Sequence, residues 1–268
     1  MIMNQVPTLS IIFMGVSAVL SAAIPAALLL YFKKKKKADI LPFFIGCAVF
    51  ILFALVIEGA INSLLFSSPA GTAIQSDPLL LALVGGLMAG LFEETGRFAA
   101  FRTVLRGRRE NDANSLMYGA GHGGIEAVLV LGASMITNIV FATAINSGGA
   151  SLSALTAGAP EATLKAIGQL AEVPSWTFLL GTAERCLAIT LHIALSVIVW
   201  FGAKEPGKLW LYPLAIALHA LTDAAAVFAA SAGVPTLAVE GIVALCTLAS
   251  VLIALAVWKK HSAQKATE

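Results

Sequence analysis

The sequence is short of charge. Of its 268 residues, 17 are Lys or Arg and 15 are Asp or Glu, 12% in all, against about 25% in a soluble globular domain. So few charges cannot clothe a core of this size, which excludes a soluble fold unless lipid covers most of the surface. Cysteine is scarce as well. Cys47, Cys186 and Cys246 stand singly in apolar stretches without CxxC spacing, and read as small hydrophobes rather than as a disulfide framework or a thiolate metal site. There is no periodic glycine, no heptad pattern, no repeat, no Gly-rich nucleotide motif after a strand and no basic arm interleaved with aromatics, so collagen, coiled coil and nucleic-acid partners drop out. What is abundant is Leu, Ile, Val, Phe and Ala.

Those residues gather into stretches long enough to cross hydrocarbon, over 9–32, 40–66, 78–102, 113–147, 173–201, 209–231 and 236–258. The expected fold is an all-α polytopic membrane bundle of about seven transmembrane helices, a single domain over 1–268 with its core motifs in 85–223, and an integral protein of a prokaryotic plasma membrane. The run Lys33 to Lys37 follows the first span instead of preceding it, so that span reads as retained and not as a cleaved signal peptide. Alternating from this anchor puts 14 of the 17 Lys and Arg, Lys265 among them, on the cytoplasmic side. The N-terminus is therefore expected outside and the C-terminus in the cytoplasm. The one long external connection, 148–172, is weakly helical from Pro160 to Ala171 and reads as a connector or an interfacial segment.

Four spans carry ionisable residues that hydrocarbon does not tolerate without a reason. The third holds Glu93, Glu94 and Arg97 in GLFEETGRFAAFR. Arg97 lies i+4 from Glu93 and i+3 from Glu94, so one guanidinium can hold one carboxylate while the other keeps a different partner. The fourth holds His122 and Glu126, an i,i+4 pair in YGAGHGGIEAV, which suits two metal ligands or a histidine oriented by its carboxylate. Asn138, further along, reads as an interhelical hydrogen bond. The fifth holds Glu184 and Arg185, a structural pair, then His192 seven residues from Arg185 on one face. The sixth holds His219 and Asp223 in ALHALTDAA, again i,i+4, a spacing in which the aspartate can fix the imidazole.

Depth ties these groups together. Counted from the expected cytoplasmic ends, Glu93, His122, His192 and His219 all lie about 14 Å into a layer of roughly 30 Å. Four independently placed groups at one level read as one site. Carboxylates, an arginine and three histidines suit activation of water beside a carbonyl, hence hydrolysis of a membrane-embedded or membrane-proximal peptide. The rival class is a proton- or ion-coupled transporter. It is disfavoured because no matched pair of interrupted spans is evident, although the Gly-rich segments at 85–90 and 119–124 keep it open. An inactive binding or immunity protein is the remaining alternative, and membrane lipids are partners on any reading.

With these residues in view, the sequence resembles the YhfC-like membrane peptidases, related more distantly to the CAAX-processing/bacteriocin-immunity peptidases and the PrsW-like peptidases. EETGR at 93–97 corresponds to their adjacent glutamates and following basic residue. YGAGHGGIE places His122 four residues after Tyr118, and HALTD at 219–223 corresponds to the later His-x-x-x-Asn/Asp. The CAAX pattern spaces its arginine one residue further on and ends more often in Asn, and the PrsW pattern has lysine where Arg97 stands. GHGGIE and the segment from Glu184 to His192 look specifically YhfC-like. The resemblance implies an intramembrane endopeptidase with catalytic residues among Glu93, Glu94, Arg97, His122, Glu126, His192, His219 and Asp223. It leaves two mechanisms open. In the preferred one Glu93 or Glu94 activates water with no cofactor, and His122 and His219 position the water and the oxyanion. In the alternative, His122, His192 and His219 hold Zn²⁺ and a glutamate is the base.

Overall fold

A computed structural model describes residues 4–262, so Lys265 lies outside the described residues. The chain is all helical there. Its helices are α1 (Thr8–Lys35), α2 (Leu41–Phe66), α3 (Pro69–Ser76), α4 (Pro78–Arg102), α5 (Ala113–Ser147), α6 (Gly149–Leu155), α7 (Glu161–Gln169), α8 (Thr177–Lys204), α9 (Leu211–Ser231) and α10 (Thr236–Ser262). Seven of them, α1, α2, α4, α5, α8, α9 and α10, are long and apolar enough to span a membrane. The connection after α5 holds α7 within the stretch expected to be helical, and also the short α6 before it.

Local chemistry sets the boundaries. Asp77 caps α4, its Oδ1 accepting from the amides of Leu79 at 2.9 Å and Leu80 at 3.1 Å, with Pro78 in the first turn, where a missing N–H costs nothing. The α1 helix ends at its lysine run. Lys37 takes φ 58°, and the Ala38 amide reaches back to the Phe32 carbonyl at 3.1 Å, closing the last turn. Two helices are wound more loosely in the middle, with π-helical stretches at Phe50–Glu58 in α2 and Ala127–Gly132 in α5. One extra residue in a turn rotates everything after it by about 100° around the axis.

The contacts divide the chain into two compact units, 1–24 with 126–186, and 25–125 with 187–268. In the first, Val6, Met14, Leu131, Met135 and Phe178 form the core. Ser17 donates to the Phe178 carbonyl at 2.8 Å and accepts from Thr182 at 2.9 Å. Asn146 clasps the backbone of Val6 from both sides, at 2.8 and 3.0 Å. Asn146 thus ties α5 to the segment that leads into α1. The interhelical hydrogen bond expected of Asn138 is not seen: Asn138 makes no hydrogen bond among the described residues.

The second unit is built around the C-terminal half of α8, where Leu195, Ile198, Trp200 and Phe201 are fully buried against Phe101, Leu105, Tyr118 and Leu211. Its helices meet at glycines. Gly86 and Gly90 of α4 face α9 so closely that a Cβ on Gly86 would stand 2.4 Å from the Ala220 carbonyl. Gly119 and Gly123 of α5 do the same to α8, with a Cβ on Gly119 falling 2.5 Å from Ile193 Cα. Both are small-xxx-small pairs, which bring backbones together where lipid supplies no hydrophobic drive. At one end of the unit Asp112 Oδ1 accepts from Trp200 Nε1 at 3.0 Å and pairs with Lys204, tying the start of α5 to the end of α8.

A buried histidine and carboxylate cluster as the candidate active site

The glycine-mediated crossings place Glu93, Glu94 and Arg97 of α4, His122 of α5, His192 of α8 and His219 and Asp223 of α9 side by side within the second unit. Glu93 is 7% exposed and Glu94 and Arg97 are fully buried. At i,i+3 on α4, Arg97 Nη1 donates to both oxygens of Glu94, while Arg97 Nη2 lies 3.0 Å from His192 Nδ1 on α8. Glu94 Oε1 also meets His219 Nδ1 on α9 at 2.9 Å. The neighbouring glutamate points elsewhere, and Glu93 Oε2 lies 2.8 Å from His122 Nε2 on α5. The two adjacent carboxylates therefore divide the site: Glu94 serves Arg97 and His219, and Glu93 serves His122.

The three histidine rings lie close together, His192 beside both of the others. Ring centroids are 4.7 Å apart for His122 and His192 and 5.2 Å apart for His192 and His219. Aromatic rings wall the group in. Phe50 sets an edge against His122 at 5.4 Å, and Tyr118, one turn before His122, lies under the Arg97 guanidinium at 6.0 Å. Asp223, 38% exposed at its side chain, stands 3.5 Å from His219 Nε2, so His219 faces a carboxylate at each ring nitrogen.

One subset can hold a metal ion. A carboxylate oxygen of Glu93 and one ring nitrogen each of His122 and His192 all lie within 4.8 Å of one another, and all three residues are buried. One carboxylate and two imidazoles from three helices is a donor set that zinc accepts, so the residues fit such an ion. His219, expected beside His122 and His192 as a zinc ligand, lies outside this subset and meets Glu94 and Asp223.

Glu126 lies in the other unit. There it accepts from Arg185 Nη1 at 2.7 Å, and Arg185 also holds Glu184. The i,i+4 spacing of His122 and Glu126 is thus used differently by its two members, since the partner of His122 is Glu93 on another helix. Glu184 and Arg185 pair as the sequence suggested.

One ionisable residue near the cluster escaped the sequence reading. Glu58 sits in α2, a span read as carrying no charge, and is in electrostatic reach of Glu93, His219 and Asp223. It accepts from Asn62 Nδ2 at 3.1 Å. Counted along their helices, Glu58 and Asp223 both lie eight residues before the helix end. The signal available was simply an acid inside an apolar run.

Comparison with known proteins follows the same lines. A family described as "YhfC intramembrane metalloprotease" matches residues 20–247. A Bacillus subtilis (strain 168) protein named "Uncharacterized membrane protein YhfC" is 36% identical over 219 residues, covering 81% of this chain and 84% of that protein. No solved structure matches.

Proposed function

Because the chain belongs to the YhfC family of intramembrane metalloproteases, we propose that it cleaves peptide bonds in or beside the bilayer with a zinc ion held by Glu93, His122 and His192. It is a membrane-embedded peptidase and an integral protein of a prokaryotic plasma membrane. The observation that carries the zinc reading is the convergence of those three ligating atoms from α4, α5 and α8. The cofactor-free glutamic mechanism preferred from sequence is less well supported, and it keeps one observation in its favour, the direct contact of Glu93 with His122.

Zinc, when bound, supplies Lewis acidity toward a carbonyl and lowers the pKa of water. The remaining work belongs to the chain's own side chains. Glu94 is fully committed to Arg97 and His219, and so positions them instead of acting as a free base. Arg97 holds the ring of His192 while no ion is bound, and must release it for the ring to ligate. His219, with a carboxylate at each nitrogen, is placed to donate a proton to a developing oxyanion or a leaving amine, and half-exposed Asp223 orients it. Burial of the cluster keeps bulk water from competing for these hydrogen bonds.

The substrate class is a transmembrane or lipid-proximal peptide. The whole of 1–268 acts as one peptidase domain, with the N-terminus outside and the C-terminus in the cytoplasm, the orientation the lysine and arginine distribution supports. The test is turnover of a library of fluorogenic transmembrane peptides by protein reconstituted in liposomes. Chelation should abolish cleavage and zinc should restore it, with Glu93→Gln, His122→Ala and His192→Ala each inactive. Chelation-resistant turnover that still needs Glu93 would establish the glutamic mechanism instead.

A further inference from the structure

The second unit carries a groove that the hydrolytic site does not use. It encloses about 340 Å³ and is lined by the end of α1, the start of α5, the middle of α8 and the C-terminal part of α10. Leu116, Ile193, Val197, Val251 and Leu255 make its walls. Ala113, Ala194 and Ala254, all buried, open the space between them.

Only one charged residue lines this apolar groove, Lys36. It is held in place, because the left-handed turn at Lys37 closes α1 and the Lys37 carbonyl accepts from Asn111 Nδ2 at 2.9 Å. Lys36 belongs to the exposed run Lys33 to Lys37, and no carboxylate among the described residues pairs with any of the five. The nearest acid in sequence, Asp39, is taken by Arg108 at 3.3 Å and by Asn114 at 3.0 Å. Trp258 also lines the groove, and Lys259 and Lys260 follow it directly. An apolar slot with a cation, and a tryptophan from a lysine-bearing helix end, has the chemistry of a bilayer interface and the charge to match a phosphate.

We propose that this groove binds one anionic phospholipid, an acyl chain lying along Ala113, Ala194 and Ala254 and the phosphate at Lys36. The lipid braces α8 from behind. Thr190, Ile193 and Ala194 line the groove on the turns that carry His192, and Gly119 of α5 rests on the Ile193 backbone. Occupancy thus stabilises the helix pair that presents His122 and His192, whatever reaction they perform.

The test compares full-length protein in nanodiscs of phosphatidylglycerol and of phosphatidylcholine with identical acyl chains, reading melting temperature, together with native mass spectrometry after phosphatidylglycerol is titrated into detergent. The expected result is a melting temperature several degrees higher in phosphatidylglycerol and one lipid retained per chain, with no effect of soluble glycerol phosphate. Lys36→Glu should remove the preference, Val251→Trp should expel the retained lipid, and Lys33→Glu, outside the groove, should keep both. Equal stability in the two lipids, a preference that survives Lys36→Glu, or equal loss in Lys33→Glu would overturn the proposal, the last by reducing it to general attraction of a basic tail to a charged surface. A response to glycerol phosphate would overturn it in favour of a free-phosphate site.

Discussion

Arg97 Nη2 approaches His192 Nδ1 at 3.0 Å, and this contact commits the histidine's lone pair. Arginine has no acceptor, so Nδ1 must accept, and a neutral imidazole has only one nitrogen able to do so. A metal ion needs that same lone pair. Zinc loading and the Arg97 hydrogen bond therefore exclude each other on His192.

Removing the competitor should tighten metal binding. In the paired variant Glu94→Gln with Arg97→Met, which leaves no charge uncompensated, zinc affinity by calorimetric titration should rise roughly tenfold or more, since a hydrogen bond to a charged group contributes about 1.5–3 kcal/mol. Unchanged affinity would mean that the arginine does not gate the ligand.

The Glu94 and Arg97 pair is fully buried, and loss of either leaves the other's charge with only a histidine against it. Glu94→Gln or Arg97→Met singly should cost about 3–5 kcal/mol of stability, and the double variant less than the sum. Reversible unfolding in bicelles reads this double-mutant cycle, and additive losses would show that the two side chains do not act as a pair.

Helix approach at glycine makes a graded prediction. Gly119→Ala and Gly86→Ala push against backbone and should destabilise by about 1–3 kcal/mol. Gly15→Ala and Gly241→Ala, where a Cβ meets nothing within 4 Å, should be neutral or stabilise by about 0.5–1 kcal/mol. The same unfolding measurement separates the two classes.

Glu58 should matter for turnover and not for metal loading. Glu58→Gln is expected to lower cleavage about 10–100-fold, the range typical of groups that support a metal site from outside its ligands, with metal content unchanged by elemental analysis. Full activity in this variant would remove Glu58 from the site.

Spans were legible in the sequence because hydrocarbon demands long apolar runs, and the charged residues of α4, α8 and α9 were legible because nothing else explains their cost. The i,i+3 and i,i+4 logic gave Arg97 one carboxylate of the Glu93 and Glu94 pair, without saying which, and set Asp223 beside His219, since α4 and α9 are regular helices. It did not show that Glu94 would bridge to His219 or Glu93 to His122, because pairing between helices depends on crossings set by Gly86, Gly90 and Gly119. Asn138 follows a π-helical stretch and Glu58 ends one, where a 3.6-residue period no longer predicts the face. Glu58 itself was legible as an acid inside an apolar run, but its neighbours across the site were not.

Metal content is the most direct test of the central claim. Elemental analysis of folded, monodisperse protein purified without chelator should give about one zinc per chain, lost in Glu93→Gln, His122→Ala and His192→Ala and retained in His219→Ala. Metal-free wild type that is nevertheless an active peptidase, or zinc that depends on His219 as much as on His122, would contradict the assignment of Glu93, His122 and His192 as the metal-binding set.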